Sequence, residues 1–361
     1  MAEPLKHLYN PGFIDRLCHD LVEVEPGFDA AHFRALVFDA AWDERELKAR
    51  TRHITVCLHA VLDRPYAEAL AVLEPVAARQ RVAYEYTFFP DYVACYGLDH
   101  WDRSMEALAH FTQYSSSEFA VRPFILQDPP RMMAQMLAWT AHPNEHVRRL
   151  ASEGCRPRLP WAMALPAFKR DPGLVLPILE ALKADPALYV RRSVANNLND
   201  ISKDHPGLVL DIARRWQGHD PGTDWIIKHA TRTLLKRGEQ AALTIFGFEP
   251  QAVQVSGLTL SPNVVPIGGQ ITLSCQLEVA ATAPVQLRLE YAVHFVKANG
   301  TTSPKVFQIR EGLVAPGAPV SITLRHAFRQ LTTRIHYPGI HRIVLLVNGI
   351  ANAEGVVEVV E

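Results

Sequence analysis

Apolar residues recur at three- and four-residue spacing through the first two thirds of the chain. Ala30–Phe38, Glu44–Leu62, Tyr66–Ala78 and Arg103–Gln113 each carry such a stripe, which predicts amphipathic helices. Proline and aspartate punctuate the gaps, as in Asp63-Arg64-Pro65 and Phe89-Pro90-Asp91. From Ser115 onward the pattern is paired. Arg131–Ala141 and Leu174–Ala184 read as outer helices, and inner partners open near Val147, Val190 and Ile226. Asn144 and Asp185-Pro186 stand where helix starts are expected. After Phe246–Pro250 the spacing changes to two, in Ile271–Val279, Gln286–Phe295, Val320–Arg325 and His341–Val347. Turns such as Pro266-Ile267-Gly268-Gly269, Ala298-Asn299-Gly300 and Ala315-Pro316-Gly317 separate these runs. About seven short strands in roughly 110 residues predict an Ig-like β-sandwich, with a small barrel as the alternative. Tyr337-Pro338-Gly339 is expected as a tyrosine-corner-like turn. The expected architecture is α + β multidomain: an all-α domain over 1–248, then an Ig-like β-sandwich over 249–361.

The inner helices repeat one another. Val147-Arg148-Arg149 returns as Val190-Arg191-Arg192 and, more weakly, as Ile226-Ile227-Lys228, at offsets of 43 and 36 residues. Periods near 40 with paired helices indicate a HEAT-like solenoid. In such arrays one helix of each pair lines a concave surface. Here that helix carries basic residues, with carboxylates and a tryptophan nearby in NEHVRRLASEGCRPRLPW.

Charge sharpens this picture. The whole chain has a formal charge of −1, yet residues 131–248 hold 17 Lys and Arg against 11 Asp and Glu, and residues 1–130 hold 12 against 20. A local basic face binds polyanions even when the whole protein is neutral; solvated helix faces are the plain alternative. The five cysteines form no CxxC pair, so reduced thiols and a cytoplasmic setting are expected. No apolar run is long enough to span a membrane and MAEPLKHLYN lacks a signal-peptide pattern, so neither membrane insertion nor export is expected.

Four residues stand out as candidates for chemistry: Glu118, Glu153, Trp161 and Asp200. Each has a structural alternative. Glu118 suits a helix N-terminus, Glu153 can pair with Arg149 one turn earlier, Asp200 can be a solvated helix end, and Trp161 can be core. His142 and His146 have the spacing of a zinc pair, but Pro143 lies between them and no third ligand is placed, so no metal is expected. There is no phosphate-binding glycine loop and no GxSxG elbow.

NEHVRRLASEGCRPRLPW, YVRRSVANNLNDISKDHP, DWIIKHATRTLLKRG and ELKARTRHITVCLHAVL together resemble the AlkC branch of the HEAT-like-repeat DNA glycosylases, over about residues 1–248. Some members look similar through the C-terminal Ig-like domain as well. The resemblance implies a monofunctional DNA glycosylase, without cofactor, that removes cationic alkylated bases from double-stranded DNA in base excision repair. N3-methyladenine is the chief expected substrate and N3-methylcytosine a second. It implies that Glu153 and Asp200 flank the sugar and water, that Trp161 contacts the lesion nucleotide and that Glu118 supports the site. Arg149 would fill or brace the opened stack. Arg148, Arg191, Arg192, Lys228 and Arg232 are candidate phosphate contacts, and the basic stretches Lys297–Lys305 and Arg325–His341 are candidate DNA contacts of the second domain. The competing readings are a non-catalytic DNA-damage binder and a protein scaffold, since fold alone does not fix function.

Overall fold

The computed structural model describes residues 3–249, 253–279, 282–317, 319–331 and 334–361. Pro250, at the end of the expected domain junction, and Thr332 and Thr333, within the stretch Arg325–His341, lie outside the described residues. The chain divides into two compact units, Met1–His205 with Trp216–Ala230, and Pro206–Arg215 with Thr231–Glu361.

The first unit is helical. Ala30–Val37, Leu47–Leu62, Tyr66–Ala78 and Trp101–Phe111 lie close to where the apolar stripes place them. Pro11–Val24 and Phe88–Tyr96 are further helices. The latter contains Pro90 in its first turn, where a missing N–H costs no helix bond. The inner helices are Glu145–Glu153, Leu188–Ile201 and Pro221–Ala230, packed side by side in that order. Pro129–Trp139 and Leu176–Ala181 pack on the first of them.

The repeated motif has a structural meaning. Val147, Val190 and Ile226 are wholly buried anchors. Ahead of each helix an Asx side chain accepts a backbone N–H: Asn144 from His146, Asp185 from Ala187, Asp220 from Thr223. These bonds satisfy donors that a helix start leaves open. The first arginine of the motif then ties back the incoming chain. Arg148 Nη1 donates to the carbonyls of His142 and Pro143, and Arg191 Nη1 to those of Asp185 and Pro186. Arg148 also holds Asp185 through Nε and Nη2.

The second unit holds the sandwich. Its strands are β1 (Val253–Ser261), β2 (Val264–Pro266), β3 (Gln270–Val279), β4 (Val285–Val296), β5 (Thr302–Val314), β6 (Val320–Ala327), β7 (Gly339–Val347) and β8 (Ile350–Val360). One sheet has the order β1-β3-β6 and the other β2-β8-β7-β4-β5. All pairings are antiparallel except that of β2 with β8. Alternation on β3 sends Ile271, Leu273, Cys275 and Leu277 into the core, where they meet Leu287, Leu289, Val293, Ile343 and Leu345. β4 is buried on both faces, and short helices at Arg232–Lys236 and Gln240–Ile245 belong to the same unit. Asn348 Nδ2 donates to the carbonyls of Glu249 and Gln286. Gly238 and Gly349 touch backbone to backbone, and a Cβ on Gly238 would stand 2.9 Å from the Gly349 carbonyl oxygen. These contacts place the start of the compact unit upstream of the point where the sequence changes character.

The histidines of the stretch Arg325–His341 face inward. His326, His336 and His341 are buried around Phe295 and Phe328, so these three do not present a basic surface. His341 Nε2 donates to the Tyr337 carbonyl, which ties the turn at Tyr337-Pro338-Gly339 through its backbone. Burial, reinforced by His336, Arg334, His341 and Lys305, pushes the His326 pKa down to about 4. Burial lowers those of His336 and His341 as well. The folded unit therefore resists protonation that the unfolded chain accepts near pH 6.5. Stability conferred by the neutral imidazole is complete above pH 6.5 and is lost as the pH falls toward 4, by about 3 kcal/mol for His326. Thermal unfolding followed from pH 7.5 to 4.5 should show this unit's transition moving down. His326→Phe should flatten that dependence; an equally steep one would rule out His326 as its cause.

Candidate functional site

The site is built where the helix Glu145–Glu153 ends. Gly154 closes it, its N–H returning to Leu150. A Cβ at Gly154 would stand 2.5 Å from Val121 Cγ2 and 2.9 Å from Met136 Cε, so the backbone passes too close for a side chain. Cys155 and Arg156 follow, both buried. The loop then reaches Trp161, which has φ +63° and is 62 % exposed. Trp161 is thus presented to solvent, and it meets Tyr84 edge-on at 6.3 Å.

Arg122 holds this loop from beneath. Its Nε donates to the Met163 carbonyl at 2.8 Å, and Nη1 donates to Gly154 at 2.9 Å and to Arg156 at 3.1 Å. The guanidinium is fully buried, and burial pushes its pKa down to about 10. Lys48 Nζ reaches the Trp161 carbonyl from the helix Leu47–Leu62.

Three carboxylates converge above the loop. Arg149 pairs with Glu118 at 2.5 Å and with Glu153 at 3.3 Å. Arg156 pairs with Glu153 at 2.7 Å and with Asp200 at 3.0 Å. Lys203 reaches the other oxygen of Asp200 at 3.1 Å. Ser116 Oγ donates to Glu118 and accepts from Arg149 Nη1. Glu153 and Asp200 are only 5 % and 2 % exposed. For Arg149, burial alone lowers the pKa, but the charges of Glu153 and Glu118 outweigh it and the net shift is upward. Its guanidinium also lies 5.0 Å over the Tyr189 ring. The chain is thus a row of alternating charges, Glu118, Arg149, Glu153, Arg156, Asp200, Lys203. Both oxygens of Asp200 have cationic partners, whereas Glu153 uses Oε1 for both arginines.

The structure therefore brings Glu118, Glu153, Asp200 and Arg149 together, with Trp161 on the adjoining loop. Glu118 lies in the turn before the helix Val121–Gln127, not at its first residue. The reading of Arg148 and Arg191 changes: both are committed to holding the chain ahead of their helices. Arg192 is exposed, Lys228 is half-buried on the helix Pro221–Ala230, and Arg232 belongs to the second unit. His142 Nδ1 accepts from the Asn144 N–H, while His146 meets Tyr189 edge-on. Among the described residues no group of three His, Cys, Asp or Glu side chains is arranged for a metal ion. No helix among them is long and apolar enough to cross a membrane. Sequence reasoning missed Arg156, Arg122, Tyr189 and Lys203. The i,i+3 spacing of Glu153 and Arg156 was a usable signal; nothing in the sequence marks Arg122, whose partners are backbone carbonyls 32 to 41 residues away.

Fold and site define a helical-repeat protein with a C-terminal Ig-like domain and a buried carboxylate–guanidinium cluster beside an exposed tryptophan. Residues 254–361 match the family described as "Uncharacterised protein YhaZ, C-terminal Ig-like domain". The chain is 48 % identical to the protein YhaZ of Bacillus subtilis (strain 168) over 346 residues, covering 96 % of each. It superposes with a TM-score of 0.96 and 41 % identity on alkylpurine DNA glycosylase AlkC of Pseudomonas fluorescens, solved bound to DNA containing an abasic site analog, covering 99 % of this chain and 100 % of that one. The chain belongs to the AlkC family of HEAT-like-repeat proteins.

Proposed function

We propose that this protein is a monofunctional DNA glycosylase that hydrolyses the N-glycosidic bond of cationic alkylated bases, chiefly N3-methyladenine and also N3-methylcytosine, in duplex DNA. The full-length match to an alkylpurine DNA glycosylase carries the reading, and the charge row at Glu118, Glu153 and Asp200 supports it. It acts without cofactor, in the cytoplasm, on DNA at the nucleoid.

The chemistry follows from the substrate. N3-methyladenine carries a positive charge, so cleavage of its C1′–N9 bond sends the bonding electrons to the base, which leaves neutral. The sugar becomes oxocarbenium-like. Negative charge beside C1′ stabilises that state. Water then attacks C1′ and loses a proton to a carboxylate. Glu153, with Oε2 spared by the arginines, is the candidate for the water, and Asp200 for the sugar. Arg149 is a cation already held between Glu118 and Glu153. Its withdrawal toward the opened base stack would leave those carboxylates to the incoming cationic nucleotide. Arg192, Lys228 and Arg232 are the candidates for backbone phosphates; each lost contact should lower the salt slope of binding by roughly 0.9. The turn at Lys297–Lys305 is a further candidate contact.

Trp161 offers a π face to the lesion. Trp161→Ala should slow base release about 2- to 30-fold, from a cation–π contribution of about 0.5–2 kcal/mol. Stability should change by less than about 0.5 kcal/mol, because the ring is exposed. A wild-type rate would place the ring outside the lesion site. The activity itself is tested on a duplex carrying one N3-methyladenine. The strand should stay intact after incubation and break only on alkaline treatment. Breakage without alkali would contradict the monofunctional reading, and no breakage in either case would contradict glycosylase action.

A further inference from the structure

A cavity of about 290 Å³ lies within the helical unit, lined in part by Ser116, Ala162 and Met163. It therefore adjoins both the charge row and the loop of Trp161, yet it contains neither Glu153 nor Asp200. Its charged lining is unbalanced: Lys48, Arg52 and Arg122 stand against the single carboxylate of Asp91. The polar capacity left over is mainly of donors. Arg52 holds Asp91 through Nε and Nη2, and Nη1 has no protein partner among the described residues. Lys48 Nζ gives one hydrogen bond, to the Trp161 carbonyl, of the three it can make, and lies 4.5 Å over the Phe119 ring. Arg122 Nη2 is buried with no partner among the described residues, on a side chain that is wholly inaccessible. Tyr84 and Phe119 form aromatic walls beside these groups.

The lining thus sets three cations, two of them on exposed side chains, against one carboxylate, and offers more donors than acceptors. An oxoanion resolves the imbalance, because its oxygens accept from several donors at once and its charge offsets the excess. A nucleobase or another neutral ligand would satisfy donors without offsetting charge. We propose that this cavity is an oxoanion site that takes a phosphate group, either a phosphodiester of bound DNA or a free phosphate. Partial desolvation lowers the Lys48 pKa, with Arg52 and Arg122 adding to the effect against Asp91. The site would place a phosphate against the loop whose carbonyls Arg122 and Lys48 hold, and so couple its occupancy to the position of Trp161. This inference does not depend on glycosylase action, since binding alone tests it.

The test uses the full chain, Lys48→Met and Lys48→Arg, checked for folding by circular dichroism; Lys48 is exposed, so all three should fold. Calorimetric titration with inorganic phosphate at constant ionic strength forms one arm. Salt-dependent binding of an undamaged duplex forms the other. Saturable phosphate binding, weakened at least tenfold in Lys48→Met and restored in Lys48→Arg, identifies a free-phosphate site. No response to inorganic phosphate, together with a salt slope lower by roughly 0.9 in Lys48→Met and restored in Lys48→Arg, identifies a DNA phosphodiester. If Lys48→Met changes neither quantity, the proposal is wrong and the cavity is structural.

Discussion

Glu153→Gln and Asp200→Asn should each lower single-turnover base release from N3-methyladenine DNA by about 100- to 1000-fold, with duplex affinity changed less than about threefold. Both substitutions keep shape and a hydrogen-bond acceptor, so Arg156 retains a partner on either side. What disappears is one unit of negative charge in a site where both side chains are shielded from water. Charge in such surroundings acts far more strongly on a developing oxocarbenium than it would in bulk solvent. The two variants should also differ. Loss of the proton acceptor for water leaves binding of the cationic base intact, whereas loss of the charge beside the sugar weakens binding of a cationic sugar analogue as well. A non-catalytic damage binder predicts unchanged behaviour for both. Wild-type rates in the two variants would remove these carboxylates from the mechanism.

Arg156→Met carries the largest expected cost in stability, about 3–5 kcal/mol. The substitution removes a cation that touches both Glu153 and Asp200 and leaves two buried carboxylates without it. Lys203 still reaches Asp200, but it is more exposed, and Glu153 is left to Arg149 at 3.3 Å. Arg156→Lys should recover only part of the loss, because an ammonium cannot reproduce the Nε and Nη1 contacts in their fixed geometry. Urea unfolding, read on the helical unit's transition, measures this cost. A change below about 1 kcal/mol would mean that the row behaves like a surface ion pair and not a buried one.

The periodicities locate most helices to within a few residues, since an apolar stripe at helical spacing has only one way to bury itself. They also place β3, β4, β6 and β7, where alternation is clear. The helix Phe88–Tyr96 escapes because Pro90 reads as a break, and β5 because Lys305, Arg310 and Gly312 interrupt the alternation on an edge strand. At the site, the sequence points to Glu118, Glu153, Trp161 and Asp200. The motif's structural task is not visible in it. Arg148 and Arg191 recur because each staples the entry to its helix, while the second arginine of each pair varies in role: Arg149 lies inside the charge row and Arg192 faces solvent. Arg122 is invisible in the sequence for a different reason, since its partners are carbonyls, which every residue has.

Incubating the purified protein with methylated duplex DNA and identifying the released bases by chromatography reads the glycosylase reaction itself. Release of N3-methyladenine, with little N7-methylguanine, is the predicted result. Protein that is folded and binds the same DNA, yet releases no base, would exclude glycosylase action and make the row from Glu118 to Lys203 a structural feature of the array.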